Sequence, residues 1–557
     1  MATATVENPK GNPVHYPADR RFRVWVRPAF LLLFVALAVL PLVAAWAQFL
    51  TAGLPAAPLT APIAAEAIAA PSGFPAWLRL THYVNFLFLV LLARSGLSIL
   101  MDHPRLYWND HCTPGTEWMR FTPLKVPTDR VWTAKDDARY ISPWLALPGY
   151  RHTIGTARHW HLLGALFWFL NGLAFVGLLF GTDQWKRLVP TSWQIIPDAW
   201  AVFVHYATFH MSDATDPFYR FNALQQLSYF AVVFVMATLS AMTGLAMSPS
   251  IDSRFPWYPK VFGGRQPARS IHFLLLLGYV AFLVMHVTMV ATGLVRNMNY
   301  IVLGSNNGNL NGLLLGLTGI GLVVAVCYLA HWVSWKHPRA LQYLVRHIHA
   351  VMRLLLFSHL VPRAQFSKKD ISPFLWPNGK PPATEEWESL AAADFNEFRL
   401  KVYGLVENPV ELSLDEMKAL GKEEQITMHH CIQGWSGIAQ WGGLPVAKLI
   451  ELVRPRPQAK VVVFHSFGEG LYGGEYYDTQ PMEIALQLQS LLAYEMNYQP
   501  LGRLYGSPLR LRVENQLGYK MVKWIKAIEF VASEKYVGKG HGGKNEDDEY
   551  FDLVPDI

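Results

Sequence analysis

Six apolar runs dominate the first three-fifths of the chain, at 30–50, 78–100, 162–180, 224–247, 272–294 and 313–333. Each is long enough to cross a bilayer, which takes roughly 20 apolar residues of helix. The first run follows Arg20-Arg21-Phe22-Arg23 and ends at Ala45-Trp46-Ala47, an arrangement shared with cleaved export signals. Its length, and the lack of a polar region before Ala45, favour an uncleaved helix. Segment 340–361 carries Arg346 and Arg353 among its leucines, so the pattern predicts an amphipathic helix at the membrane surface rather than a seventh span. Residues 364–383 are rich in proline and read as a linker. Beyond them the pattern turns to short strand-like segments, 398–406, 459–467, 508–515 and 524–532, between Gly- and Pro-marked turns. The expected fold is multi-domain. An N-terminal segment with an extra helix (1–77) precedes an all-α transmembrane bundle (78–335), an amphipathic and linker segment (336–370) and a mixed α+β domain (371–557).

Loop charge predicts orientation, because Lys and Arg gather on the cytoplasmic side. They crowd the N-terminus (Lys10, Arg20, Arg21, Arg23, Arg27), the 101–158 loop (Arg105, Arg120, Lys125, Arg130, Lys135, Arg139, Arg151, Arg158) and the 248–270 loop (Arg254, Lys260, Arg265, Arg269). The 51–77 loop has none, 295–312 has only Arg296, and 182–222 mixes Lys186, Arg187 and Arg220 with four aspartates. Both termini, and with them the α+β domain, are therefore expected in the cytoplasm. Composition agrees with a membrane part joined to a soluble one: 52% of residues are hydrophobic and 16% charged. The net charge of +7 is explained by the loops and calls for no nucleic acid. Three unpaired cysteines, Cys112, Cys327 and Cys431, exclude a disulfide scaffold and a CxxC zinc site.

Imidazole inside a membrane helix marks a functional candidate. His272 and His286 stand fourteen residues apart on one helix, hence on one face and about 21 Å apart along its axis. Two haems stacked across a bilayer need that separation. Helix direction pairs His161 with His272 at the inner level and His82 with His286 at the outer level. His159, two residues from His161, is the competing ligand. His205 and His210 allow either a quinone pocket or a surface amphipathic helix, with the latter preferred. His331, His337, His347, His349 and His359 read as surface anchors.

With these histidines go an R-x-x-H from Arg79 to His82 followed by Ser95-Gly96, and an R-x-W-H from Arg158 to His161 followed by Asn171-Gly172. Phe221-Asn222, Leu224-Gln225, Thr243-Gly244 and the H-x13-H pair complete the set. Together they resemble the bacterial di-haem cytochrome b group found as membrane subunits of hydrogenases, formate dehydrogenases and thiosulfate reductases. The resemblance spans about 78–300. It implies two b-type haems, held by His82, His161, His272 and His286, that pass electrons between a quinone or quinol and a catalytic subunit. The same pattern favours His161 over His159.

In the second half, His429-His430-Cys431-Ile432-Gln433-Gly434-Trp435-Ser436 leads a series that includes Asn408-Pro409, Trp441-Gly442-Gly443-Leu444-Pro445 and 491–497. Gly506-Ser507-Pro508-Leu509-Arg510 and Gly518-Tyr519-Lys520-Met521-Val522-Lys523-Trp524 close it. Over about 371–557 this resembles the sulfite oxidase superfamily, particularly the branch with the periplasmic methionine sulfoxide reductase. The resemblance implies a molybdenum-molybdopterin cofactor, with Cys431 as the catalytic cysteine and molybdenum ligand. Ser466 would contact the pterin, and Arg510 and Lys523 would hold its phosphate with help from the backbone at Met521 and Val522. A soft thiolate suits such a metal, and a buried phosphate requires fixed cations. Gly434-Trp435-Ser436 stands where animal sulfite oxidases have Asn-Arg-Arg, and Tyr505 where others have His or Asn. Both departures weaken sulfite as substrate. His430 offers a proton donor beside Cys431. Cys112, in a loop remote from the pterin motifs, and Cys327, inside an apolar helix, are expected to lie away from the cofactor.

These readings predict a multi-pass enzyme of the bacterial cytoplasmic membrane acting on a small oxo or sulfur substrate, with sulfoxide reduction preferred over sulfite-type oxidation. A homodimer is compatible with them. Two alternatives stay open: a di-haem electron carrier of the superoxide or quinone oxidase type, whose C-terminal domain only docks a partner, and a haem-containing assembly scaffold.

Overall fold

The structure, a computed structural model, describes residues 23–56, 74–122, 125–127, 130–139, 141–142, 144–147, 153–210, 221–305 and 308–557. Lys10, Arg20, Arg21, Phe22, Arg151 and Arg220, weighed above, lie outside the described residues. Six described helices are long and apolar enough to cross a membrane. They are α1 (Pro28–Ala52), α2 (Ala76–Asp102), α3 (Ile154–Gly181), α5 (Ala223–Ala246), α6 (Arg265–Ala291) and α7 (Asn311–Lys336). Between α3 and α5 the short α4 (Ile195–Ala207) packs on α1, with Trp200 Nε1 donating to Gln48 Oε1 (2.8 Å). Most of their surface faces outward and is apolar, as lipid requires. Helices α2 and α3 lie side by side, as do α5 and α6.

Two boundaries differ from the sequence pattern in a way that matters. Helix α3 starts at Ile154 rather than 162, and α6 at Arg265 rather than 272. Each gains about two turns of polar helix, which a hydropathy window reads as loop. Thr153 caps α3, its hydroxyl accepting Thr156 N (3.0 Å). The Asp110 carboxylate caps α6, accepting Gln266 N (2.8 Å). Gly264, at φ +120°, lies against that carboxylate and leaves no space for a Cβ. These extensions carry the bundle to its partner domain.

Helix α8 (Pro338–Leu356) does not span; it is amphipathic, as expected. Its exposed Val351, Leu354 and Leu355 suit a membrane surface. Its other face holds the chain's C-terminal tail. Gln342 Nε2 donates to Phe551 O (2.6 Å), His349 meets Asp552 (2.8 Å), and Arg339 donates to Glu546 O and Asp547 O. His349 is thus a docking residue rather than a surface anchor.

The soluble half is α+β. One five-stranded sheet runs β5 (Val410–Ser413), β4 (Arg399–Gly404), β13 (Ile525–Val531), β8 (Val461–Glu469), β9 (Glu475–Pro481), with only β4 and β13 parallel. The other runs β11 (Gln499–Pro500), β10 (Leu491–Met496), β7 (Ser436–Pro445), β6 (Glu423–His430), with β12 (Arg510–Arg512) on β10. The short strands β1 (Trp25–Val26), β2 (Arg105–Leu106) and β3 (Met119–Arg120) precede them, joining the N-terminus to the α2–α3 loop. The four anticipated strands are present as β4, β8, β12 and β13. Strand β7 was not anticipated. Its sequence, SGIAQWGGLP, has little strand propensity, but every residue is buried. Gly443 lies flat against the backbone of Leu492 and Ala493, so close strand packing takes the place of side chains.

No gap separates the halves. One buried cluster unites Tyr107, Cys112, Ala134 and Ile154 of the first with Trp376, Cys431, Trp435 and Phe551 of the second. The linker contributes to it: Trp376 Nε1 donates to Cys112 O (2.7 Å), and Ser372 Oγ lies 3.2 Å from His111 Nδ1.

Candidate functional site

The bundle brings its histidines together at two levels. The ring centroids of His161 and His272 are 6.4 Å apart, and those of His82 and His286 6.2 Å. An iron between two imidazole nitrogens at about 2.0 Å each separates the centroids by about 6.3 Å. Both pairs fit that spacing. His159 forms no such pair: it is buried, and neither ring nitrogen has a hydrogen-bond partner.

The inner pair is also oriented. Ser95 Oγ donates to Leu91 O (2.8 Å), so toward His161 Nδ1 (3.0 Å) it accepts. Thr243 Oγ1 donates to Leu239 O (2.7 Å) and likewise accepts from His272 Nδ1 (2.9 Å). A hydroxyl has one proton to give, so both imidazoles carry hydrogen on Nδ1 and offer Nε2. Gly96 and Gly244 adjoin the rings: a Cβ at either would lie in ordinary contact with the imidazole Cε1, at 3.4 or 3.9 Å. Ser95 and Thr243 thus share one task, orienting an imidazole, which spacing alone does not reveal.

At that end of the bundle sits the β6–β7 hairpin. Cys431 N donates to Trp435 O (3.1 Å) and Gly434 N to Cys431 O (3.0 Å), with Gly434 at φ +99°. The Cys431 thiol faces Gln433 Oε1 (3.8 Å) and Asn378 Nδ2 (3.9 Å). Burial pushes it up to about 12, so a neutral-pH thiolate here requires a metal. The membrane half grips the hairpin. Gln266 Nε2 donates to Gly434 O (3.0 Å), Arg158 Nη1 to Ile432 O (3.4 Å), and Gln433 Nε2 to Asp102 O (3.2 Å). Cys112 belongs here too. Although remote in sequence, its buried side chain takes a backbone hydrogen bond from Ser436, the first residue of β7.

Behind Cys431 lies a cationic cradle. Gly506 separates Arg510 from Lys523, and a Cβ there would fall 3.0 Å from Lys523 Cβ and 3.3 Å from Arg510 Cβ. Burial, then Arg512, holds the Arg510 guanidinium down to about 9. Burial, then Arg510, holds Lys523 well below its usual value. Lys523 Nζ donates only to the carbonyls of Leu504 (3.1 Å) and Gly379 (3.5 Å), while Arg510 Nε is buried without a partner. Arg510 is buried and Lys523 half-buried, and among the described residues no acid pairs with either; two such adjacent cations call for an anion, and a phosphate fits. Met521 and Val522, both buried, form the adjoining backbone. Ser466 is spent on the protein: its hydroxyl donates to Lys523 O (2.6 Å) and accepts from Gly468 N (2.9 Å). It braces the cradle. His429 and His430 are each driven well below the usual imidazole value by burial first, then by Arg512 and Arg265 respectively.

Compared with known proteins, residues 73–303 match the prokaryotic cytochrome b561 family, and 388–537 the oxidoreductase molybdopterin binding domain. YuiH of Bacillus subtilis, an uncharacterized oxidoreductase, is 33% identical over 25% of this chain and 67% of its own length. The chain belongs to both families: it is a prokaryotic cytochrome b561 joined to a molybdopterin-binding oxidoreductase domain. YedZ1 of Azospira oryzae is 36% identical over 25% of the chain, which spans 52% of that relative. The protein-methionine-sulfoxide reductase catalytic subunit MsrP of Xanthomonas campestris pv. campestris is 32% identical over 24% of the chain, which spans 44% of it.

In the cytochrome b561 half, His205, His210 and His331 have structural partners. His205 Nε2 lies 2.8 Å from Pro55 O, and His210 meets Phe49 with tilted rings, 4.9 Å between centroids, its Nδ1 3.0 Å from Thr208 Oγ1. They tie α4 to the end of α1. His331 stacks on Trp144 at 5.5 Å. In the molybdopterin domain, Arg512 is occupied by Glu514 and by His429 Nδ1 (3.1 Å), which leaves the cradle to Arg510 and Lys523. Many basic residues counted for orientation serve the seam between the halves. Arg105 pairs with Asp137 and Glu117, both at 2.8 Å, and Arg139, Arg265 and Arg269 are buried with it. Much of the loop charge is thus engaged inside the protein, and Arg158 and Lys135 cross the seam to Ile432 O (3.4 Å) and Glu549 (3.4 Å).

Proposed function

We propose that this protein is a membrane-bound molybdenum oxidoreductase. It passes electrons between a quinone pool, two b haems and a molybdopterin site that acts on a small oxo or sulfur substrate. One observation carries the reading: the Cys431 hairpin is seated on the helix ends that bear His161 and His272. A cysteine suited to molybdenum thus sits against the same two helices that carry an imidazole pair suited to iron.

His161 with His272, and His82 with His286, are the haem ligands in this reading, and Cys431 is the molybdenum ligand. When bound, the molybdenum cofactor supplies oxygen-atom transfer and the haems one-electron steps. The chain's own groups position them. Ser95 and Thr243 hold the inner imidazoles in the Nδ1–H form, Gln433 and Asn378 flank the thiol, and Arg510 and Lys523 hold the cofactor's phosphate with Ser466, Met521 and Val522 bracing them. Burial of the hairpin by the membrane half keeps water from the thiol.

A sulfoxide is the favoured substrate class, on the likeness to MsrP and on the absence of the Asn-Arg-Arg sulfite triad after Cys431. A cytoplasmic molybdopterin domain is part of this reading, supported by the even number of candidate spans and the basic loops. The experiment is reoxidation of quinol-reduced haem in membranes by methionine sulfoxide. Reoxidation by the sulfoxide supports the reading, and inertness toward every sulfoxide and oxyanion sinks it.

A further inference from the structure

Three of the four paired histidines are preceded, three residues earlier, by an arginine: Arg79 before His82, Arg158 before His161 and Arg269 before His272. On a helix that spacing places the arginine one turn away on nearly the same face, about 4.5 Å along the axis. All three behave alike. Arg79 Nη1 donates to Val302 O (2.6 Å). Arg158 Nη1 reaches Ile432 O (3.4 Å). Arg269 donates to Arg105 O (2.8 Å) and His103 O (2.7 Å). Among the described residues each bonds main-chain carbonyls and none forms an ion pair. Asp552, which acts on Arg158 electrostatically, is already paired with His349. Two buried arginines elsewhere have acids, Arg105 with Asp137 and Glu117 and Arg512 with Glu514, while Arg254 and Arg265 bond carbonyls; what sets Arg79, Arg158 and Arg269 apart is their place one turn before a paired histidine. Arg269 is buried and Arg79 and Arg158 are half-buried, and carbonyl dipoles do not neutralise a guanidinium drawn away from water, so these positions suit carboxylates from elsewhere.

We propose that these arginines anchor the propionate carboxylates of the haems: Arg158 and Arg269 those of the His161/His272 haem, Arg79 one of the His82/His286 haem. The proposal rests on the haem-ligand reading above. Porphyrin carboxylates lie at the ring edge, and an arginine one turn from an axial ligand is placed to meet that edge with a bidentate fork. Arg158 has a second consequence. Ile432 directly follows Cys431, so one guanidinium joins the inner haem's carboxylate to the peptide beside the molybdenum ligand. It fixes the spacing of the two centres.

The test is redox titration of each haem band in the purified full chain. A nearby cation favours the reduced haem, so Arg158→Gln and Arg269→Gln should lower the midpoint of one haem and leave the other unmoved. Arg158→Lys, keeping the charge, should restore most of the shift. Arg79→Gln should lower the other haem instead, and its single carbonyl bond at the far level makes it a variant independent of domain docking. Wild-type midpoints in Arg158→Gln, Arg269→Gln and Arg79→Gln with full haem content would overturn the proposal. So would a wild-type midpoint that moves on adding sulfate and loses that response in Arg158→Gln, because the arginine would then bind a solution oxyanion. The underlying ligand reading fails separately, if His161→Ala and His272→Ala both retain two haems.

Discussion

Thr243→Ala isolates the part that orientation of an imidazole plays. Thr243 is fully buried, its hydroxyl 2.9 Å from His272 Nδ1 and committed as an acceptor by its bond to Leu239 O. Alanine leaves the Nδ1–H in an apolar helix interface without a partner. A hydrogen bond contributes about 1 kcal/mol when both groups are neutral and about 2 kcal/mol when one is charged. The ferric centre carries one more positive charge than the ferrous one, so the bond favours the ferric state by about 1 kcal/mol. For a one-electron couple, with a tenfold change near 59 mV, that corresponds to roughly 40 mV. Thr243→Ala should therefore raise the midpoint of one haem by about 40 mV and weaken its retention by about 10–100-fold, the usual effect of losing such a bond. Thr243→Ser should behave as wild type. The assay is spectroelectrochemical titration with haem quantified per chain. A midpoint that stays put or falls would refute the reasoning, as would a shift confined to the other haem. The sign is opposite to that expected for Arg269→Gln on the same haem, so the two variants check each other.

His286→Ala should remove one haem and leave the His161/His272 haem spectrally present; both haems surviving all four histidine substitutions would remove the assignment. Gly155→Val should lift the C-terminal tail from α3, because a Cβ there would fall 2.9 Å from Phe551 Cα. A clash of that kind costs about 1–3 kcal/mol, so hydrogen exchange over 546–557 should quicken while both haems persist, and unchanged exchange would contradict the docking geometry. A reporter fused after Asp556 should be active in the cytoplasm; activity only outside would show that the buried seam arginines, not topology, set the loop-charge bias.

The helical pairing of the histidines was legible because a period of 3.6 residues and a direction of travel are local properties. So were the spans, by length. The hairpin around Cys431 was legible as a motif but not as β6 and β7: a strand written SGIAQWGGLP carries no alternation when both faces are buried. Least legible was the seam. Gln266 meets Gly434 across 168 residues of sequence, and no periodicity encodes that. The polar first turns of α3 and α6 read as loop because hydropathy cannot distinguish a solvated helix end from one buried against protein. Cys112 was misplaced for the same reason: separation along the chain was taken for separation in space.

The central claim is that Cys431 and the haems form one electron path. Membranes reduced with quinol and then mixed with methionine sulfoxide report it directly, through loss of the reduced haem band. Wild type, Cys112→Ser and Cys327→Ser should reoxidise. Cys431→Ser should keep both haems reduced after the sulfoxide is added, because an oxygen ligand is a poor substitute for the thiolate. Reoxidation at the wild-type rate in Cys431→Ser would contradict the account and leave the cytochrome as a carrier whose second domain only docks.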